Sequence, residues 1–154
     1  MRMGWLVAAC AAMVVVPALA HHGWSSFDQD KPVYLEGRVK AVRWANPHAE
    51  VTLEVDATLK APGDLAARAV PPQAQSVDGP GVMKKAQPPA AAAGEWTIEF
   101  APLSRMERWS VAPLKAGDRI EVVGYTGVPG QPKLLRVEYL FVGGKAYGLR
   151  SNPR

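Results

Sequence analysis

The chain has 154 residues, 48% hydrophobic and 21% charged, with 18 Lys plus Arg against 14 Asp plus Glu for a formal net charge of +4. That length suits one domain, the apolar share excludes a disordered chain, and the mixed charge excludes a basic nucleic-acid tail. A single Cys excludes an internal disulfide framework.

Residues 1–20 read MRMGWLVAACAAMVVVPALA. Arg2 supplies a positive start, Trp5 to Val16 an apolar stretch, and Ala18-Leu19-Ala20 the small-x-small pattern that signal peptidase cleaves after. The apolar stretch falls short of the roughly 20 residues a spanning helix needs. The expectation is an export signal, a periplasmic location, and a mature chain of 134 residues beginning at His21. Removing Arg2 lowers the formal charge to +3. Val7-Ala8-Ala9-Cys10 resembles a lipoprotein processing site, but more apolar sequence follows where a polar tether belongs, which disfavours anchoring at Cys10. The mature chain is then thiol-free, as an oxidising compartment tolerates. Its small positive charge argues against a nucleic-acid partner.

Residues 32–45 are rich in β-branched and aromatic residues and largely alternate, so Val33, Leu35, Val39 and Ala41 can share a strand face. Gly37 within that run marks a bend or bulge. Asn46-Pro47 punctuates. Residues 49–57 alternate Val51, Leu53 and Val55 against Thr52, Glu54 and Asp56; residues 95–101 do the same with Trp96, Ile98 and Phe100. Between them, residues 58–94 hold 10 Ala, 6 Pro and 4 Gly with no sustained period. That composition predicts a flexible insertion, with one helical turn at most over Asp64–Val70. Leu103, Met106 and Trp109 have helical spacing. Strands follow at 119–125 and 134–142, and Gly143-Gly144 turns the chain into a short strand near 146–149.

A helix between the third and fourth strands of a small Greek-key barrel is the layout of the OB-fold. The expected fold is an all-β, OB-like barrel with one short helix, formed by 21–57 and 95–154; an antiparallel sandwich is the alternative. The fold alone says little about function.

Three histidines carry the chemical signal: His21, His22 and His48. The first two open the expected mature chain. A terminal amine deprotonates near pKa 7.7–8.0, roughly, so it can chelate a metal together with its own imidazole. Such nitrogen donors suit tetragonal Cu(II), while nothing in the mature chain offers the thiolates that favour zinc. His48 lies in the loop between the first two strands, on the side where OB-folds take ligands. Asp28 or Glu50 could add an oxygen ligand or hold an imidazole N–H. The plain reading stands beside this one: a frayed terminus, and a histidine in an ordinary turn.

Trp24, Trp44 and Asn46 stand close to these histidines as candidate ligand contacts. Trp24 to Phe27 alternatively docks the terminal arm onto the barrel, and Trp96, Phe100 and Trp109 are core. There is no nucleophile elbow, phosphate loop or thiol nucleophile, so a non-enzymatic role is expected.

His21-His22-Gly23, Phe27-Asp28, Lys31-Pro32-Val33, Gly37-Arg38-Val39, Trp44-Ala45-Asn46-Pro47-His48 and Leu114-Lys115-Ala116-Gly117-Asp118 run in a familiar order. The chain resembles a family of small exported bacterial proteins classed only as a domain of unknown function. The resemblance implies export and a small β-barrel-like domain. It implies no activity, substrate or catalytic residue. The chain departs from the pattern in its long 58–94 segment and in Glu107-Arg108 before Trp109. Three functions remain open: a copper-binding module using His21, His22 and His48; a metal-free module for a small ligand or envelope protein; and a copper-dependent oxidase.

Overall fold

The computed structural model describes residues 23–154. The expected export signal, Cys10, His21 and His22 lie outside the described residues. β1 (Val33–Arg43), β2 (Glu50–Val55) and β3 (Gly94–Glu99) form an antiparallel meander. β4 (Arg119–Tyr125) returns to pair with β1, and β5 (Leu134–Val142) pairs antiparallel with β4. β5 also pairs in parallel with β3, with Thr97, Ile98 and Glu99 opposite Leu134, Leu135 and Arg136. That parallel contact closes a five-stranded barrel of OB type. β6 (Lys145–Gly148) extends the sheet beyond β5.

Alternation sends Leu35, Val39, Leu53, Trp96, Ile98, Ile120, Val122, Leu135 and Leu140 into the interior. The short helix α2 (Leu103–Arg108), second in chain order after one at Gly79–Lys85, plugs one end through Met106. Gly37 sits against β2, and a methyl group there would overlap the Glu54 carbonyl. The β1 bulge falls further on, between Val39 and Ala41. It reverses the alternation, so Ala41 is exposed and Val42 turns to the core instead.

The segment 58–94 has its expected helical turn, within 64–70, and further structure beyond it. It holds a 3-10 turn at Leu65–Ala67 and the helix α1 (Gly79–Lys85), which Asp78 caps by accepting a hydrogen bond from the Gly81 amide at 3.0 Å. Leu65, Met83 and Ala86 bury themselves against Tyr34, Val123 and Tyr139 on the outer barrel surface. The average composition concealed a few well-spaced apolar side chains. Backbone bonds also fasten the segment: the Tyr34 amide donates to the Gln87 carbonyl at 2.9 Å and the Ala74 amide to the Asn152 carbonyl at 2.9 Å. It works as a strap over a second apolar layer.

Two outcomes follow from this layer. Met83→Ala should lower unfolding free energy by about 2–5 kcal/mol, as for other buried Met truncations, and a loss below about 0.5 kcal/mol in denaturant titration would refute the strap's packing. Burial, before the nearby carboxylates, raises the pKa of Tyr34 and Tyr139. Burial, then the Glu138 charge, pushes Tyr125 up to about 12. The folded state therefore holds these protons after the unfolded chain releases them at about pH 10. Stability is unaffected below that pH and falls as pH rises through it. Phenolate absorbance should show these three tyrosines ionising only above that point or on unfolding.

Candidate functional site

A row of charge crosses four strands beside the closing seam. The register sets Arg43 opposite Glu50, Glu50 opposite Glu99, and Glu99 opposite Arg136. Two glutamates directly opposed repel each other unless cations flank them. Arg43 binds Glu50 at 2.7 Å, and Arg136 binds Glu99. The second pair is deeply buried, with side chains 6% and 10% exposed. Below this row Thr52 faces Thr97, and Glu54 faces Glu95. Lys40, turned outward by the β1 bulge, bridges that second acidic pair. The β2–β3 face, which OB-folds use for oligonucleotides, thus presents carboxylates whose cations come from the chain itself.

His48 sits at the end of this row. Its Nδ1 lies 3.3 Å from Glu99 Oε1, and its ring is 19% exposed. Its carbonyl accepts from Arg43 Nη2 at 3.1 Å. With its proton on Nδ1 the imidazole would donate to this carboxylate, which makes Nε2 the ring's acceptor nitrogen. Arg43 is held more firmly protonated, first by its bond to Glu50.

The N-terminal arm reaches the same seam. A 3-10 turn at Trp24–Ser26 leads to Phe27, which is buried with Tyr125, Val128 and Leu134. The Asp28 amide donates to the Thr126 carbonyl at 2.8 Å. The Arg136 guanidinium carbon lies 5.4 Å from the Trp24 ring centre and 5.0 Å from that of Phe27. Arg150 lies 4.1 Å from the same Trp24 ring and binds the fully buried Glu138. Glu138 occupies the β5 bulge and also accepts from Gln73 of the strap at 2.8 Å.

The candidate residues thus separate by role. His48 joins an ordered carboxylate–guanidinium pair. Trp24 docks the arm. Trp44 is half-buried and packs toward Phe100 with ring centres 6.2 Å apart. Asn46, beside a cis peptide to Pro47, accepts from the Leu103 amide at 3.1 Å and so satisfies the start of α2. Asp28 pairs with Lys31 at 3.5 Å and Glu50 with Arg43. Sequence reasoning missed Glu99, Arg136 and Arg150. Glu99 and Arg136, on alternating strands, read as solvent-facing, and only closure of the barrel buries them; Arg150 lies beyond the last strand, where no pattern points to its partner Glu138. Among the described residues, no group of three or more His, Cys, Asp or Glu is placed to hold a metal ion. No helix among them is long and apolar enough to cross a membrane.

The fold and this seam define a small closed β-barrel of OB type whose N-terminal arm is stacked on its closing ion pair. The chain is similar to a family of unknown function (DUF6152), whose model matches residues 8–64, a span running through His21, His22, β1, His48 and β2. No curated protein and no solved structure matches it.

Glu99→Ala leaves the Arg136 charge buried and should cost about 3–5 kcal/mol of unfolding free energy. Replacing both partners, as Glu99→Leu with Arg136→Met, should cost less than the single change. Equal or greater loss in the double variant, by denaturant titration, would show that the pair itself supplies the stability.

Proposed function

We propose that the protein is an exported, non-catalytic copper-binding module, processed after Ala20, that holds Cu(II) through the His21 amine and imidazole, His22 and His48. The observation that carries this reading is the His48–Glu99 contact of 3.3 Å on the seam where the N-terminal arm is docked. A carboxylate behind an imidazole orients the ring and raises its basicity as a ligand. His48 and Glu99 alone cannot complete a site, and the chain's other two histidines precede the docked Trp24 by two and three positions. On the β2–β3 face each glutamate already meets a lysine or arginine of the chain, so a phosphate backbone would compete with those carboxylates for the same cations.

Protein recovered after processing, its terminus fixed by intact mass, should bind one Cu(II). One extra residue before His21 should weaken binding, because the amine then leaves the chelate. Affinity should also fall as pH drops through about 8 to 6.5, where the amine and imidazoles take up protons. Equal affinity with and without the extra residue would refute the terminal chelate. No copper binding would favour a metal-free ligand or envelope-protein partner, and reductant-driven peroxide formation would favour an oxidase.

A further inference from the structure

We propose that a cleft on the outer barrel face, at the margin of the strap, binds a small primary amine. Its ammonium head lies between Glu36 and Glu121, and its short apolar body lies against Phe141. This site uses neither His48 nor the N-terminal arm, so it stands or falls apart from the copper reading.

The strand register builds the floor. Tyr34 lies opposite Val123, and Val123 opposite Tyr139, in the row that Leu65, Met83 and Ala86 cover. Two residues along, Glu36, Glu121, Phe141 and Ala146 form the next row across β1, β4, β5 and β6. Asp64, Arg68 and Ala69 of the strap form one wall and the Gly143-Gly144 turn another, around a cleft of about 530 Å³. That volume suits a small molecule. Both glycines have positive φ, and no atom lies within 4 Å of where a side chain would stand, so this tight turn leaves the cleft open.

The floor is short of hydrogen-bond donors. Glu36 and Glu121 face each other directly, an arrangement that repels unless positive groups intervene. The Tyr34 hydroxyl lies 2.7 Å from Glu121 Oε2 and 3.2 Å from Glu36 Oε2. A phenol has one proton and the shorter contact takes it, so Glu36 Oε2 receives none from Tyr34. Arg68 donates to the same Oε2 of Glu121 at 2.6 Å, and Glu121 Oε1 accepts nothing among the described residues. Each of the two opposed carboxylates therefore keeps one oxygen in want of a donor.

The charges point the same way. Glu36, Asp64 and Glu121 line the cleft against Arg68 and Arg119. Arg68 is engaged by Asp64, by Glu121 and by the Phe141 ring, 5.4 Å from its centre. Arg119 binds Glu36 Oε1, but its side chain is 65% exposed, and such a surface pair yields readily to a competitor. Lys145 also lines the cleft, yet it pairs with Val142, whose side chain packs toward the core, on the side away from Phe141 and Ala146. One carboxylate is left over. An ammonium carries three donors on a compact head and can meet both glutamates at once. Phe141 is half-buried, and its uncovered part offers apolar surface to the rest of the amine.

The test is titration of isotope-labelled protein with phenethylamine, read by amide chemical shifts. Phenethyl alcohol and phenylacetate, which carry a similar body on a neutral and an anionic head, are the controls. Phenethylamine should give saturable shifts at Glu36, Glu121, Phe141 and Gly144, while the controls leave these amides in place. Glu36→Gln should weaken binding about tenfold, the scale of one charge-assisted hydrogen bond. Arg119→Ala should tighten it about threefold, because the internal competitor for Glu36 is gone. A gain in affinity cannot come from a damaged fold, so Arg119→Ala decides the matter should Glu36→Gln be unstable. The absence of saturable shifts in this cleft, equal binding of either control, or unchanged affinity in a folded variant would overturn the site.

Discussion

The parallel contact between β3 and β5 is the constraint on which the rest depends. Without it the strands form an open sheet with two unpaired edges, and Trp96, Ile98 and Leu135 lose their common interior. Closure also sets Glu99 beside Arg136 and removes both from water. Burying such a pair gives little net stability, because desolvation offsets most of the attraction. Its larger effect is on arrangement. A one-residue slip of β5 against β3 would part the two charges and turn apolar side chains outward. The pair therefore penalises the wrong register more than it rewards the right one.

Two bulges distribute polar groups around this frame. In β1 the extra residue places Lys40 between Glu54 and Glu95. In β5 it places Glu138 where Gln73, from the strap, and Arg150, near the C-terminus, both reach it. A fully buried carboxylate needs such donors, and these come from segments far apart in sequence. Strap, tail and N-terminal arm are consequently tied at one point, since Arg150 also touches Gln29 and Trp24.

The strands were legible in the sequence because Val51-x-Leu53-x-Val55 and Trp96-x-Ile98-x-Phe100 alternate without interruption. The helix between β3 and β4 then identified the barrel. The strap was not legible, because ten alanines and six prolines dilute Leu65 and Met83 below any period. A signal for it existed on the barrel: Tyr139 and Phe141 alternate with Val137 and Leu140 in a strand apolar on both faces, which requires a cover on each. Of the candidate site, His48 was visible as a residue type beside a turn. Its partner was not, since Glu99 lies 51 positions away and reads as one more outward glutamate of an alternating strand.

The same geometry explains why the chemistry gathers at the seam rather than on the open β2–β3 face. There each glutamate already meets a lysine or arginine from the chain. A ligand arriving on that face would have to displace an internal partner before gaining one of its own. Glu99 differs from the other glutamates of the row, because it meets a permanent cation and an imidazole at once. A guanidinium is a permanent cation by its chemistry, whereas an imidazole as a residue type is not. The permanent charge holds the carboxylate, and Trp24 rests on that charge. The arm is thus seated on the member of the group that does not change, beside the member that can.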